Sequence, residues 1–208
     1  MTVLVMNCNH WIGFHLVDRL LEMEYEVNGV LNEEENDDLT LFFGRNSQFS
    51  LVSSIENIIY DTCFIIGEIK EDRKVKANQI IVVDEHHQLK ATDNPNAHIV
   101  RPPLLFGEWM PITKDGYHNM DRRINIQSEQ FKKDAVYIKN FVEGLLQLMH
   151  IKNLPSILHV YPRFHSNSSD PIHHSVYMRK NGNDQGKINE VMAHCDNRNG
   201  RGFSEDPM

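Results

Sequence analysis

This sequence of 208 residues has few cysteines, an excess of acidic over basic residues, and no long hydrophobic run. No stretch approaches the roughly 18 to 20 apolar residues that a membrane helix needs, so we expect no membrane segment. The formal net charge of −8 argues against a nucleic-acid binder, because contacts to phosphates need a basic face.

The three cysteines, Cys8, Cys63 and Cys195, lie far apart and form no CxxC pair. Such a set is typical of buried thiols in a reducing compartment and excludes a disulfide framework. The N-terminus carries no basic segment and no cleavable signal pattern, since Met1 leads directly into an apolar run. We therefore expect a cytoplasmic protein.

The apolar pattern predicts an alternation of strands and helices. Thr2 to Met6 is short and rich in β-branched residues, and from Ile12 the apolar residues follow helical spacing. Val27 to Leu31 makes a second strand, parallel to the first because a whole helix intervenes. Further strands are predicted at 48–52, 62–66, 79–83, from 98 and at 157–161, with a short helix at 53–59, a helix or packed loop at 39–43, and a helix within 134–150.

Three segments of the chain resemble the extended short-chain dehydrogenase/reductase family, the NAD(P)-dependent epimerases and dehydratases of nucleotide sugars. They are the turn after the first strand, HIVRPPLLFGEWMP at 98–111, and DAVYIKNFVEGLLQLMH at 134–150. The resemblance covers roughly residues 2 to 161. It implies an α/β fold with a Rossmann-like doubly wound parallel sheet in three α/β/α layers. Arg101 stands where the family contacts an anionic substrate, although it could instead tie the strand end to Asp84 or Glu108.

The family opens with a GxxGxxG turn that admits a dinucleotide pyrophosphate at the helix N-terminus. Here the three positions are Asn7, His10 and Gly13, so only the glycine that allows close packing of helix and strand remains. Asn7 can still form the turn, but His10 and Trp11 crowd the phosphate site. Leu31 and Asn32 replace the acidic residue that would hold the ribose; Glu33 or Glu34 could substitute for it, although a solvated loop explains these two residues better. The sequence favours a turn without a ligand, and the alternative is NAD or NADP on an altered turn.

The catalytic residues of the family are missing. The family uses a Ser, and a Tyr with a Lys four residues later, which lowers the Tyr pKa from the same side of a helix. None of the six tyrosines here has a Lys at that spacing, and the segment between 83 and 98 is too short for the family's catalytic helix. The composition becomes polar from residue 165. We expect a Rossmann-like domain at 1–164, a truncated C-terminal substrate lobe, and a polar, flexible tail at 165–208.

Twelve histidines invite hypotheses of metal binding or acid–base catalysis. His86 and His87 follow the central strand at the edge where doubly wound folds bind ligands, and they are candidate catalytic residues. A zinc site needs three or four converging ligands, so we interpret the histidines as surface residues and predict no metal. Trp11 and Trp109 are predicted at the same edge. An exposed pair would suit a partner or a stacking ligand, whereas Trp11 could equally fill the place of an absent cofactor.

Two functions are compatible with this pattern. The first is a non-catalytic, degenerate relative of the nucleotide-sugar epimerases and dehydratases, acting as a binding or regulatory scaffold for an unknown protein partner or small ligand. The second is an atypical NAD(P)-dependent oxidoreductase or epimerase that uses His86, His87 or Tyr117 in place of the usual tyrosine. The losses at the glycine turn, the catalytic set and the substrate lobe favour the first.

Overall fold

An eight-stranded parallel sheet forms the centre of the structure, a computed structural model. The structure describes residues 1–32, 37–53, 55, 58–67, 75–91, 93–113, 116–119, 122–126, 128–162, 175–178, 186–191 and 193, with the backbone alone at 37–39, 112–113, 116–119 and 122–124. The strands are β1 (Thr2–Met6), β2 (Glu26–Val30), β3 (Phe49–Leu51), β4 (Ile59–Ile66), β5 (Lys76–Val83), β6 (Ala97–Arg101), β7 (Leu105–Phe106), β8 (Ile112–Thr113), β9 (Gly116–Asn119), β10 (Arg122–Ile124), β11 (Val136–Tyr137), β12 (Ile157–Pro162) and β13 (Ser175–Met178).

The order of strands in the large sheet is β3-β2-β1-β4-β5-β6-β12-β13, and every neighbouring pair is parallel. The first six strands have the doubly wound order, in which the chain reverses its direction of travel beside β1. This confirms the predicted Rossmann-like sheet. Two small sheets, β7 with β11 and the antiparallel β8, β9 and β10, lie outside it.

The helices with defined ends are α1 (Trp11–Glu22), α2 (Glu129–Asp134) and α3 (Ile138–Leu148), and a 3-10 helix spans Asp37–Phe42. One face of the sheet forms a core with α1 and α3, in which Leu16, Leu20 and Phe141 are fully buried. On the other face, the described residues that complete the core belong to loops, among them Ile55 and Leu89. Among the described helices even α1, the longest with 12 residues, is not long and apolar enough to cross a membrane.

The strand predicted at 157–161 is present as β12. The interpretation of Ile157 to Tyr161 as the last strand of the sheet is wrong, because β13 pairs with β12 along His159 to Pro162. The predicted short helix does not run through Ile59, which begins β4. Residues 54, 56 and 57 of that helix lie outside the described residues.

Part of the range predicted as a polar tail is folded against the domain. Met178 of β13 packs so closely on α3 that a Cβ at Gly144 would lie 2.0 Å from its Cε. Residues 186–191 are helical, and Ile188 and Val191 join the main core, so this part of the predicted flexible tail is ordered. The boundary at residue 164 stays a prediction.

Candidate functional site

The turn between β1 and α1 lies where a Rossmann fold binds a dinucleotide. Asn7 adopts left-handed backbone with φ of 59°, as predicted for this position. Its side-chain amide donates to the carbonyl of Ile66 in β4. The amide of Cys8 donates to the carbonyl of Val30 in β2 at 3.1 Å. The turn is therefore fixed to the strands on both sides of β1.

His10 caps the N-terminus of α1 with its own side chain. The imidazole Nδ1 accepts a hydrogen bond from the amide of Ile12 at 3.3 Å. This leaves the proton on Nε2, which lies 3.6 Å from a carboxylate oxygen of Glu85. Burial, with a smaller effect of nearby His86, lowers the pKa of His10 to about 4. The imidazole is thus neutral at neutral pH. Its Nδ1 accepts from the Ile12 amide, a donor at the helix N-terminus that would otherwise be available to an anion.

Gly13 and Trp11 complete the packing of this turn. A Cβ on Gly13 would lie 2.4 Å from the carbonyl oxygen of Asn7, so only glycine fits. Trp11 is 4% exposed and makes an edge contact with His15. Trp109 lies instead against Phe14 and Phe42, with its backbone left-handed at φ of 66°. Because Trp11 is buried, the two tryptophans do not form the exposed pair that the sequence suggested.

Asn9, which sequence reasoning missed, joins the turn to the end of β2. Its side chain accepts from the backbone amide of Asn32 and donates to the backbone carbonyl of the same residue, both at 2.8 Å. Asn9 is 1% exposed. At the position where the family holds a ribose, Asn32 therefore contributes its backbone to an internal contact. No recognised motif includes these two asparagines, so only their spacing along the chain could have indicated that they pair.

We expect Asn9→Ala to lower the free energy of unfolding by about 2 kcal/mol, because it removes two partly buried hydrogen bonds and leaves the amide and carbonyl of Asn32 without these partners. Urea unfolding followed by circular dichroism measures the change. Asn46→Ala is the matched control, since Asn46 makes one exposed hydrogen bond to the amide of Gln48 and should cost clearly less. Equal losses in the two variants would contradict the structural role of Asn9.

Arg101 lies at the end of β6 and contacts the loop that follows β5. Its Nη2 donates to the carbonyl of Leu89 at 2.8 Å, and its Nε lies 3.7 Å from the Asp84 carboxylate. Asp84 is buried and also accepts from the amides of Gln88 and Leu89. This is the strand-end tie that the sequence allowed as the alternative. A substrate contact by Arg101 stays a prediction.

His86 and His87 follow Asp84 on the same loop and are exposed. His87 has left-handed backbone with φ of 56°, and its Nε2 lies 3.0 Å from the carbonyl of Pro102. The described residues between β5 and β6, 84–91 and 93–96, contain no helix. Where side chains are described, no three His, Cys, Asp or Glu residues converge as a metal site requires. The side chains of Tyr117, His173, His174, His194 and Cys195 lie outside the described residues.

A second polar group lies under α1 and consists of His15, Glu108 and Tyr137. His15 Nε2 is 2.9 Å from the carbonyl oxygen of Glu108. The Glu108 carboxylate accepts from the hydroxyl of Tyr137 at 2.8 Å, and burial raises the pKa of that hydroxyl. These contacts connect α1, the loop after β7 and the start of α3. No sequence motif marks them, because the three residues lie far apart in the chain.

No family model and no curated protein matches this chain. Similar solved structures include Pal from Bacillus thuringiensis, with 11% identity, a TM-score of 0.55 and coverage of 78% of each chain. Yeast methylglyoxal/isovaleraldehyde reductase Gre2 complexed with NADPH has 13% identity and a TM-score of 0.56 over 97% of this chain and 100% of that one. A third, gox2253, has 9% identity and a TM-score of 0.51 over 76% of this chain and 69% of that one. Such low identities show the fold alone, and the chain shares the Rossmann-like α/β fold of these proteins.

Proposed function

We propose that this protein is a non-catalytic relative of the NAD(P)-dependent epimerases, dehydratases and reductases. In this proposal its Rossmann-like scaffold binds a protein partner or a small ligand and does not use NAD or NADP. The observation that carries the proposal is the cap on α1, where the His10 imidazole takes the hydrogen bond of the Ile12 amide. A dinucleotide pyrophosphate would have to displace this side chain to reach the helix N-terminus.

Other polar groups at the same edge of the sheet support this reading, because they are used within the protein. Asn9 closes on the backbone of Asn32, and Arg101 binds the loop at Leu89. The carboxylate of Glu85 lies beside His10, where it would repel a phosphate. Because these polar groups already have partners within the protein, few hydrogen-bond donors remain at this edge of the sheet for a dinucleotide.

The alternative is an atypical NAD(P)-dependent oxidoreductase or epimerase. One observation favours it. The exposed His86 lies at the ligand-binding edge of the sheet, close enough to His10 to lower the pKa of that imidazole. The fold similarity to a reductase complexed with NADPH is also compatible with it. This alternative requires His10 to leave the helix N-terminus when a cofactor binds.

A titration of the purified protein with NAD, NADP and NADPH tests the proposal. We expect no saturable calorimetric signal and no change in melting temperature, whereas a ligand at 100-fold its Kd would add about 2.7 kcal/mol of stability. Yeast Gre2 with NADPH is the positive control for the assay. His10→Gly is the matched variant, because it opens the helix N-terminus while keeping Gly13. Clear saturable binding by the unmodified protein would contradict the proposal.

A further inference from the structure

An exposed apolar surface lies against the first half of α1 and consists of Leu41, Phe42 and Trp109, which we call the apolar patch. Leu41 is 75% exposed and Phe42 is 62% exposed. The ring centroid of Phe42 lies 5.5 Å from that of the half-buried Trp109. Single exposed apolar residues are common on proteins, whereas a contiguous group that includes aromatic rings is typical of an interaction site.

The apolar patch rests on a buried aromatic base. Phe14 of α1 contacts both rings of the patch, with its centroid 5.6 Å from Phe42 and 6.0 Å from Trp109. Phe14 is itself buried and packs on the buried ring of Phe43 at 5.0 Å. The backbone of Trp109 is left-handed with φ of 66°, an unfavourable conformation for a bulky residue that the surrounding packing must maintain. The patch is therefore preorganised, and binding to it costs little conformational entropy.

Negative charge flanks the apolar patch on the side of the 3-10 helix. Asp37 and Asp38 begin the helix in which Phe42 is the last residue. Such a helix rises about 2 Å per residue, so Asp38 precedes Phe42 by about 8 Å along the axis, roughly one Debye length at physiological salt. Arg45, in the turn that follows, offsets one of these charges.

A further carboxylate flanks the patch on the side of the loop after β7. Glu108 directly precedes Trp109, and its side chain is 30% exposed. The hydroxyl of Tyr137 donates to this carboxylate at 2.8 Å and fixes its position without removing its charge. Phosphate groups are therefore repelled from the patch, and so is a second copy of a chain whose net charge is −8.

We propose that the apolar patch binds a basic segment of a partner protein, in which arginine and apolar side chains are interspersed. The apolar side chains would cover Leu41 and Phe42. A guanidinium group both stacks on aromatic rings and pairs with carboxylates, so arginine matches the rings of the patch and the flanking Asp38 and Glu108 together. This inference rests on the proposed scaffold function and names the chemistry of one protein partner.

The test is a titration with the peptide acetyl-RLRRLR-amide, followed by the tryptophan indole resonances in ¹H–¹⁵N spectra, which Trp109→Phe assigns. We expect the Trp109 indole to shift saturably with a Kd on the order of 100 μM, and the buried Trp11 indole to respond clearly less. Acetyl-RGRRGR-amide keeps the charge without the apolar side chains, and acetyl-ELEELE-amide keeps the apolar side chains with the opposite charge. Each should bind about tenfold more weakly or less.

Phe42→Ser should weaken binding of acetyl-RLRRLR-amide by about tenfold, as for the central residue of an interface. Ile151→Ser is the matched control, since Ile151 is an apolar side chain outside the patch with 45% exposure, and it should change the Kd by less than about twofold. The proposal is overturned if the Trp109 indole does not respond, if either control peptide binds as tightly as acetyl-RLRRLR-amide, or if Phe42→Ser binds as tightly as the wild type.

The titration with NADPH separates this inference from the proposed function. Binding of NADPH would contradict the loss of the cofactor, while a peptide-induced shift of Trp109 would still support the patch. Failure of the peptide to bind would overturn the patch and leave the loss of the cofactor unaffected.

Discussion

Gly13→Ala is expected to lower the free energy of unfolding by about 3 kcal/mol, the upper part of the range for overpacking a core. The new methyl group would lie 2.4 Å from the Asn7 carbonyl oxygen and 3.0 Å from the Cys8 Cα, both backbone atoms. Backbone fixed to β2 and β4 cannot move aside as a flexible side chain can. For a chain of this size, the loss corresponds to a melting temperature roughly 6–12 °C lower.

Gly44→Ala is the matched control. A Cβ there meets only the Leu41 carbonyl oxygen at 3.8 Å, an ordinary contact, and its backbone does not require positive φ. We therefore expect a change within about 0.5 kcal/mol, as for surface substitutions. Differential scanning calorimetry on both variants gives the comparison. Similar melting temperatures for the two would show that the turn after β1 relaxes more easily than its hydrogen bonds indicate.

The glycine turn separates two roles that the GxxGxxG pattern combines. Gly13, which allows α1 to approach β1, is retained and has no room for a side chain. The two positions that admit a phosphate carry Asn7, which forms the left-handed turn, and His10, which caps the helix. The packing requirement of the fold therefore remains, while the other two positions of the pattern carry side chains with structural contacts of their own. This division is what connects the structure to the proposed binding scaffold.

The sequence predicted most of the sheet because its central strands are continuous apolar runs. β4 and β5 are buried along much of their length, and their hydrophobicity marks them without any tertiary information. β13 was missed because it has four residues and exposes Tyr177. Such a strand gains its stability from pairing with β12 and from the contact of Met178 with α3, and neither is visible in local sequence.

The candidate site was predictable in position and not in its contacts. The resemblance to the GxxGxxG turn placed His10 at the phosphate position. Its role as a helix cap depends on the side-chain rotamer and on burial, and no sequence pattern indicates either. Asn9 and Asn32 are separated by the whole of α1 and β2, and they meet only because β1 and β2 pair in parallel. His15 and Glu108 likewise come together only through the fold.

Burial of the imidazole that caps α1 also makes folding sensitive to acid. The pKa of His10 is about 4 in the folded protein, against the ordinary value of 6.5 for an unfolded chain. The unfolded state therefore takes up the proton first as the pH falls, and stability is lost between about pH 6.5 and pH 4. Protonated Nδ1 can no longer accept from the Ile12 amide. Near pH 4.5 this linkage amounts to about 2.5 kcal/mol for a group with such a shift.

His10→Asn isolates this effect, because Asn is a favourable N-cap whose acceptor oxygen does not titrate. We expect the variant and the wild type to differ by less than about 1 kcal/mol near pH 7, and the variant to be more stable by about 2 to 3 kcal/mol near pH 4.5. Burial also lowers the pKa of His15, but that residue is present in both proteins and cancels in the comparison. Urea unfolding across this pH range measures the two curves. Parallel curves would contradict the lowered pKa of His10 and, with it, the burial of this imidazole at the N-terminus of α1.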